Sequence, residues 1–240
     1  MKTNVSQVAA FEQLLSFCNA HGSVFNPSKK AIKLTALEAL LTQANGSMHA
    51  VQQAITAKDN AIIARKQTFR ELPKFATRII NALSATDASK DVIEKANAFR
   101  LSLSPRTNRP AIPSGAAGPS PEGERKSRST SMLSYTRMTE NFAALVQVLS
   151  AEPEYTPNEH SMTIAGLTEF VESLREMNRA VYQAEVDLSN ARFRRDKLLY
   201  GEDGIKDCSQ RVKKYVKSLF GARSVPFRQI SGLTFVNKKF

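Results

Sequence analysis

The chain has 240 residues, of which 42% are apolar and only 8% aromatic, with no Trp and a formal net charge of +12. That length suits one large domain or two small ones, and any core must be mostly aliphatic and alanine-rich. No alternating run of β-branched residues ends in Asn-Gly or Asp-Gly, which excludes a strand-rich fold. No stretch of about 18 apolar residues occurs, so no transmembrane helix is expected.

In chain order, the N-terminal MKTNVSQVAAFEQLLSFCNA carries Glu12 and Gln13 where a signal peptide needs an unbroken apolar run, so no leader is expected. Residues 5–20 read as a helix with Val8, Phe11, Leu14, Leu15 and Cys18 on one face. After the loop Asn26-Pro27-Ser28, residues 33–70 read as a long helix. Its seam of Leu34, Leu37, Leu41, Ala44, Met48, Val51, Ile55, Ile62 and Phe69 is broken by Lys58 and Arg65. Gly46 is expected to lie within this helix. Pro73 is expected to open a third helix over 73–83, where its missing N–H costs nothing, and a fourth follows over 88–101.

Residues 104–134 are dominated by Pro, Gly and Ser with a basic Arg125-Lys126-Ser-Arg128 run, and read as a flexible linker. Beyond it, helices are expected over 135–150, 163–200 and 204–220, with turns at Thr156-Pro157-Asn158 and at 201–204. Gly221 reads as a C-cap. The apolar tail SVPFRQISGLTFVNKKF is expected to lie against the helices.

Shifting the chain against itself by 130 residues aligns 25–69 with 155–199 without a gap. Identities include Pro27/Pro157, Leu37/Leu167, Val51/Val181, Gln53/Gln183 and Arg65/Arg195. Phe11, Leu14 and Leu15 pair with Phe142, Leu145 and Val146, and Ile79 and Leu83 with Val212 and Val216, after small shifts. The expectation is therefore an all-α fold of two tandem, diverged helical-bundle repeats, each with one long central helix. The first repeat is placed at 1–103 and the second, with a basic tail, at 135–240. One elongated pseudo-two-fold bundle is preferred over two bundles on a string.

Charge is unevenly spread: residues 140–190 carry two bases against nine acids, and 192–240 carry thirteen against four. Acids early and bases late in a long helix complement its macrodipole, and long basic stems cover apolar surface. The same pattern suits head-to-tail assembly of acidic and basic ends, or a phosphate-binding face. Candidate polyanion-binding residues are Arg192, Arg194, Arg195, Lys197, Arg211, Lys213, Lys214 and Lys217. Phe193, Tyr215 and Phe227 lie among them, and their helical spacing assigns them to the core rather than to base stacking.

Catalytic chemistry is sparse. His21, His49 and His160 are isolated, and no HExxH, Glu-x-x-His pair, phosphate-binding glycine loop or nucleophile elbow is present. Cys18 and Cys208 fit no CxxC pattern and read as reduced, buried small hydrophobes. No metal, cofactor, small-molecule substrate or integral membrane association is expected, nor an enzyme.

The segments Ala191-Arg-Phe-Arg-Arg-Asp-Lys-Leu-Leu-Tyr200, Val212-Lys-Lys-Tyr-Val-Lys-Ser-Leu-Phe-Gly221 and Gln229-Ile-Ser-Gly-Leu-Thr-Phe235 resemble a group of uncharacterised tandem-helical proteins of Bacteroidota-type bacteria. That resemblance implies a bacterial cytoplasmic setting and a duplicated helical architecture, and supplies no functional residue. The leading expectation is a non-enzymatic helical interaction or scaffold protein capable of self-association. The alternatives are a nucleic-acid-binding protein using the basic C-terminal face, or binding of an anionic membrane surface by the tail.

Overall fold

The computed structural model describes residues 4–103 and 134–236; the expected linker, Ser134 apart, lies outside them. The described residues form α-helices and short 3-10 turns, without strands. Seven α-helices follow in order: α1 (Asn4–Ala20), α2 (Leu34–Ser84), α3 (Lys90–Ser102), α4 (Tyr135–Ser150), α5 (Ile164–Tyr200), α6 (Ile205–Phe220) and α7 (Val225–Ser231). Single 3-10 turns, Lys30–Ile32 and His160–Met162, lead into α2 and α5. None of these helices is long and apolar enough to cross a membrane.

Helix starts follow from side-chain caps. Ser89, Ser134 and Ser224 accept from the backbone N–H three residues on, at 3.4, 3.2 and 3.2 Å, satisfying donors that the first turn leaves unpaired. Gly221 ends α6 as expected, at φ 89° and with its N–H on the Lys217 carbonyl. Helix α2 runs through Gly46 unbroken.

Pro73 is a correction: it sits inside α2, which continues to Ser84 in place of a separate third helix. Its ring removes the N–H that would bond the Phe69 carbonyl. The apolar stripe nevertheless keeps helical phase across it, with Phe69, Leu72, Ala76, Ile79 and Leu83 all buried. Burying that stripe outweighs the one missing hydrogen bond.

The residues divide into two compact units, and each takes material from both halves of the sequence. The terminal unit comprises Met1–Asp59 and Gln183–Phe240; the middle unit comprises Asn60–Tyr182. The division thus falls within α2 and α5, cutting across the expected domains 1–103 and 135–240.

In the terminal unit, α1 packs Val8, Phe11, Leu14, Leu15 and Cys18 with Leu37 and Ala44 of α2 and with Ile205, Cys208, Val212 and Val216 of α6. Tyr200 ties α5 to α1, accepting from Gln7 Nε2 and donating to Asn4 Oδ1, each at 2.7 Å. The described part of the tail, residues 224–236, does lie against this core: Ile230 is buried, and Leu233 and Phe235 pack on the cluster.

In the middle unit, Phe142, Leu145, Val146 and Leu149 of α4 meet Phe69, Leu72, Ala76, Ile79 and Leu83 of α2 and Leu167, Val171 and Leu174 of α5. Phe75, Phe142 and Phe170 form an aromatic triangle with centroids 5.3 to 6.2 Å apart. The Tyr155 hydroxyl donates to the Met162 carbonyl at 2.9 Å, closing the turn before α5. Positions paired by the 130-residue offset behave alike: Phe25/Tyr155, Ile32/Met162, Leu37/Leu167 and Val51/Val181 are all buried, as are Phe11 and Phe142, paired after a one-residue shift.

The glycines give opposite predictions. A Cβ added at Gly46 meets nothing within 4 Å, so Gly46→Ala should raise stability by about 0.5–1 kcal/mol through lower backbone entropy. At Gly204 a Cβ would stand 2.7 Å from the Leu198 carbonyl oxygen and 2.9 Å from that of Gly201. Gly204→Ala should therefore cost about 1–3 kcal/mol. Urea denaturation midpoints moving the same way in both variants would contradict this assignment.

Candidate polyanion-binding surface

All eight candidate cations belong to the terminal unit, on α5 and α6. That unit contains eighteen Lys and Arg against nine Asp and Glu, leaving +9 of the chain's +12. What each cation can do depends on whether an internal partner already holds it.

Three are held. Arg195 grips Asp196 through Nε and Nη2, at 2.8 and 2.6 Å, with side chains only 12% and 10% exposed. Arg211 reaches Asp207 at 2.9 Å, one helical turn back, and Asp203 at 3.1 Å. Asp203 also takes Lys29 at 2.9 Å, so one carboxylate pins the loop before α2 to the turn before α6. That turn places Asp203 at φ 52°, steadied by donation from its N–H to Asp207 at 3.1 Å. Lys213 donates to the carbonyls of Ser231 and Leu233, fastening the end of α7 to α6. These three are engaged within the fold.

Five remain on the surface. Arg192, Arg194, Lys197, Lys214 and Lys217 are exposed, and no ion pair among the described residues involves them. Lys217 stands over the Phe227 ring at 5.9 Å, a favourable cation–π separation.

Of the three aromatic residues expected in the core, two pack there and one does not. Tyr215 is core-directed, edge-on to Phe25 at 5.3 Å, and Phe227 is half-buried. Phe193, assigned to the core from spacing, is 71% exposed. The inward face of α5 in this unit is carried by Ala184, Leu188, Asp196 and Leu199, which leaves Phe193 outside the buried stripe.

The three histidines do not converge. His21 packs against Phe220 at 4.9 Å, His49 is exposed on α2, and His160 begins a 3-10 turn. No group of three or more potential metal ligands occurs among the described residues. The middle unit has an open groove of about 700 Å³ over Phe75 and Phe170. Its rim mixes Glu71, Lys74, Arg78, His160 and Glu169, so neither sign of ligand is selected.

No protein-family model, curated protein or solved structure matches the chain.

Both cysteines are free and buried. Burial pushes the Cys18 thiol up to about 12; burial, then the nearby Asp203 and Asp207 carboxylates, push Cys208 up to about 12. Thiolate, the reactive form, is therefore scarce near neutral pH. Native protein should resist a disulfide-exchange thiol reagent at pH 7, and both thiols should titrate promptly in denaturant. Rapid labelling of either one in the native state would mean that it is a reactive rather than a packing residue.

Proposed function

We propose that the protein is a non-enzymatic helical interaction protein, built from two diverged copies of one helical repeat, whose terminal unit docks an acidic partner. The observation that carries this reading is the exposed set Arg192, Arg194, Lys197, Lys214 and Lys217, outside every ion pair among the described residues in a unit of charge +9. A charge excess of this kind raises the local concentration of polyanions and speeds their encounter. The copies are supported by the shared burial at offset positions and by the composition of each unit: a leading helix, the first half of one long helix, the second half of the other, and short closing helices.

Self-association is the second reading within this function. It is favoured by Glu169 and Glu176 of α5, which are exposed and outside the ion pairs formed by Glu172 with Arg175 and Arg179. A neighbouring copy presenting them to Lys214 and Lys217 would assemble head to tail.

Binding to immobilised heparin should weaken steeply with salt. Combining Arg192→Glu, Lys214→Glu and Lys217→Glu should lower the salt slope, by about one for each cation that no longer meets the polyanion. Glu169→Lys, in the middle unit, should leave it unchanged. Light scattering separates the second reading: association at low salt that Glu169→Lys abolishes supports head-to-tail assembly, and a strict monomer refutes it. Heparin binding that ignores salt would refute the docking of an acidic partner.

A further inference from the structure

Phe193 has the highest fractional exposure of the large apolar side chains among the described residues. Successive helical residues project about 100° apart, so Arg192 and Arg194 stand on its two flanks. Lys197 follows on nearly the same strip, about 6 Å further along the axis. Ser189, Asn190 and Val186 precede it and are exposed.

The acids of this stretch are engaged elsewhere: Glu185 with Lys58 at 3.3 Å, Asp187 with Gln183 at 3.0 Å and Asp196 with Arg195 at 2.6 Å. Lys58 and Arg195 answer the charge of Glu185 and Asp196, and Asp187 bonds a neutral amide, whereas Arg192, Arg194 and Lys197 take part in no ion pair among the described residues. The surface therefore offers one unshielded aromatic ring inside a positive frame.

We propose that this ridge binds single-stranded nucleic acid, with Phe193 stacking on an unpaired base and Arg192, Arg194 and Lys197 meeting the adjoining phosphates. The proposal rests on the reading of the terminal unit as an anion-docking face and names the class of anion. An aromatic platform beside backbone-tracking cations is the physical requirement for single strands, whose bases present free faces. Bases in a duplex are already stacked on one another, so the ring gains nothing there.

Two other occupants fit less well. A second copy placed on the ridge by a two-fold axis would bring like cations together. An acidic protein would surround an aromatic anchor with apolar groups that exclude water, yet Ser189, Asn190 and three cations flank Phe193, and Val186 two turns back is the one apolar residue named on the ridge.

The test is fluorescence anisotropy with the full chain and three labelled probes: oligo-dT of about 20 nucleotides, the matching dT·dA duplex, and poly-glutamate. The wild type should prefer oligo-dT to both other probes. Phe193→Ala should weaken oligo-dT binding by about ten-fold and leave duplex binding unchanged, while Phe193→Trp should retain it. The combination of Arg192→Glu, Arg194→Glu and Lys197→Glu should abolish the preference. Equal binding of oligo-dT by wild type and Phe193→Ala, or a preference for poly-glutamate, overturns the proposal while the docking face stands. Failure of the wild type to bind any of the three overturns both. Since Phe193 is exposed, unchanged helicity and melting of Phe193→Ala will confirm that the weaker binding reflects the missing ring and not unfolding.

Discussion

The fold depends on covering a single apolar stripe that is far longer than any short helix available to it. Helix α2 has 51 residues, a rise of roughly 75 Å, whereas α1 has 17 and α3 has 13. Helix α1 covers Leu37 and Ala44 near the start of α2 and cannot reach Leu72 or Leu83. Left open, that second stretch of Phe69, Leu72, Ala76, Ile79 and Leu83 would forgo about 1.5–3 kcal/mol for each large side chain. It is buried by α3, by α4 and by the first half of α5, and α4 and α5 come from beyond the 104–134 stretch. The compact units cut across the halves of the sequence for this reason: each long helix exceeds the reach of the helices adjacent to it in the chain.

Periodicity makes most of this legible. The 3- and 4-residue spacing locates every helix longer than ten residues within a few positions, Pro73 apart, and the residues on the expected face of α1 are the buried ones. Pro73 misleads because the local rule for a proline weighs only its own turn. The same region of the chain's second half shows the other outcome. There the backbone breaks at Gly201–Gly204, where a Cβ at either glycine would collide with a carbonyl oxygen. One long helix therefore continues and the other stops, a difference set by a short insertion and two glycines rather than by the stripe.

The candidate surface is legible in its charge and illegible in its pairing. Arg195 could be matched with Asp196 by proximity, and Arg211 with Asp207 by helical spacing. Lys29 meets Asp203 across 174 positions, and Lys213 is consumed by backbone carbonyls that carry no mark in the sequence. Phe193 misleads for a geometric reason. Leu188 and Leu199 are both inward, but Phe193 stands about 140° from one and about 120° from the other around the helix, whereas Asp196, bonded to Arg195, takes an inward position. A buried carboxylate thus takes a place that the hydrophobic pattern would have given to an apolar side chain.

That arrangement links stability to binding. In the middle unit, Arg175 and Arg179 are drawn to Glu140 and Glu172, so much of the charge on α5 is balanced at short range. In the terminal unit the excess of +9 is only partly answered, and like charges confined to a small volume oppose the compact state. Surface cations contribute little to folding in any case, since even exposed ion pairs are worth only about 0–1 kcal/mol. Arg192, Arg194 and Lys197 thus add little to the fold, which leaves them available for the proposed docking. A polyanion bound to the folded unit relieves the repulsion while adding its own mass-action stabilisation. Under the proposed docking, the terminal unit, which carries the unanswered charge, is the one that an anionic partner should stabilise.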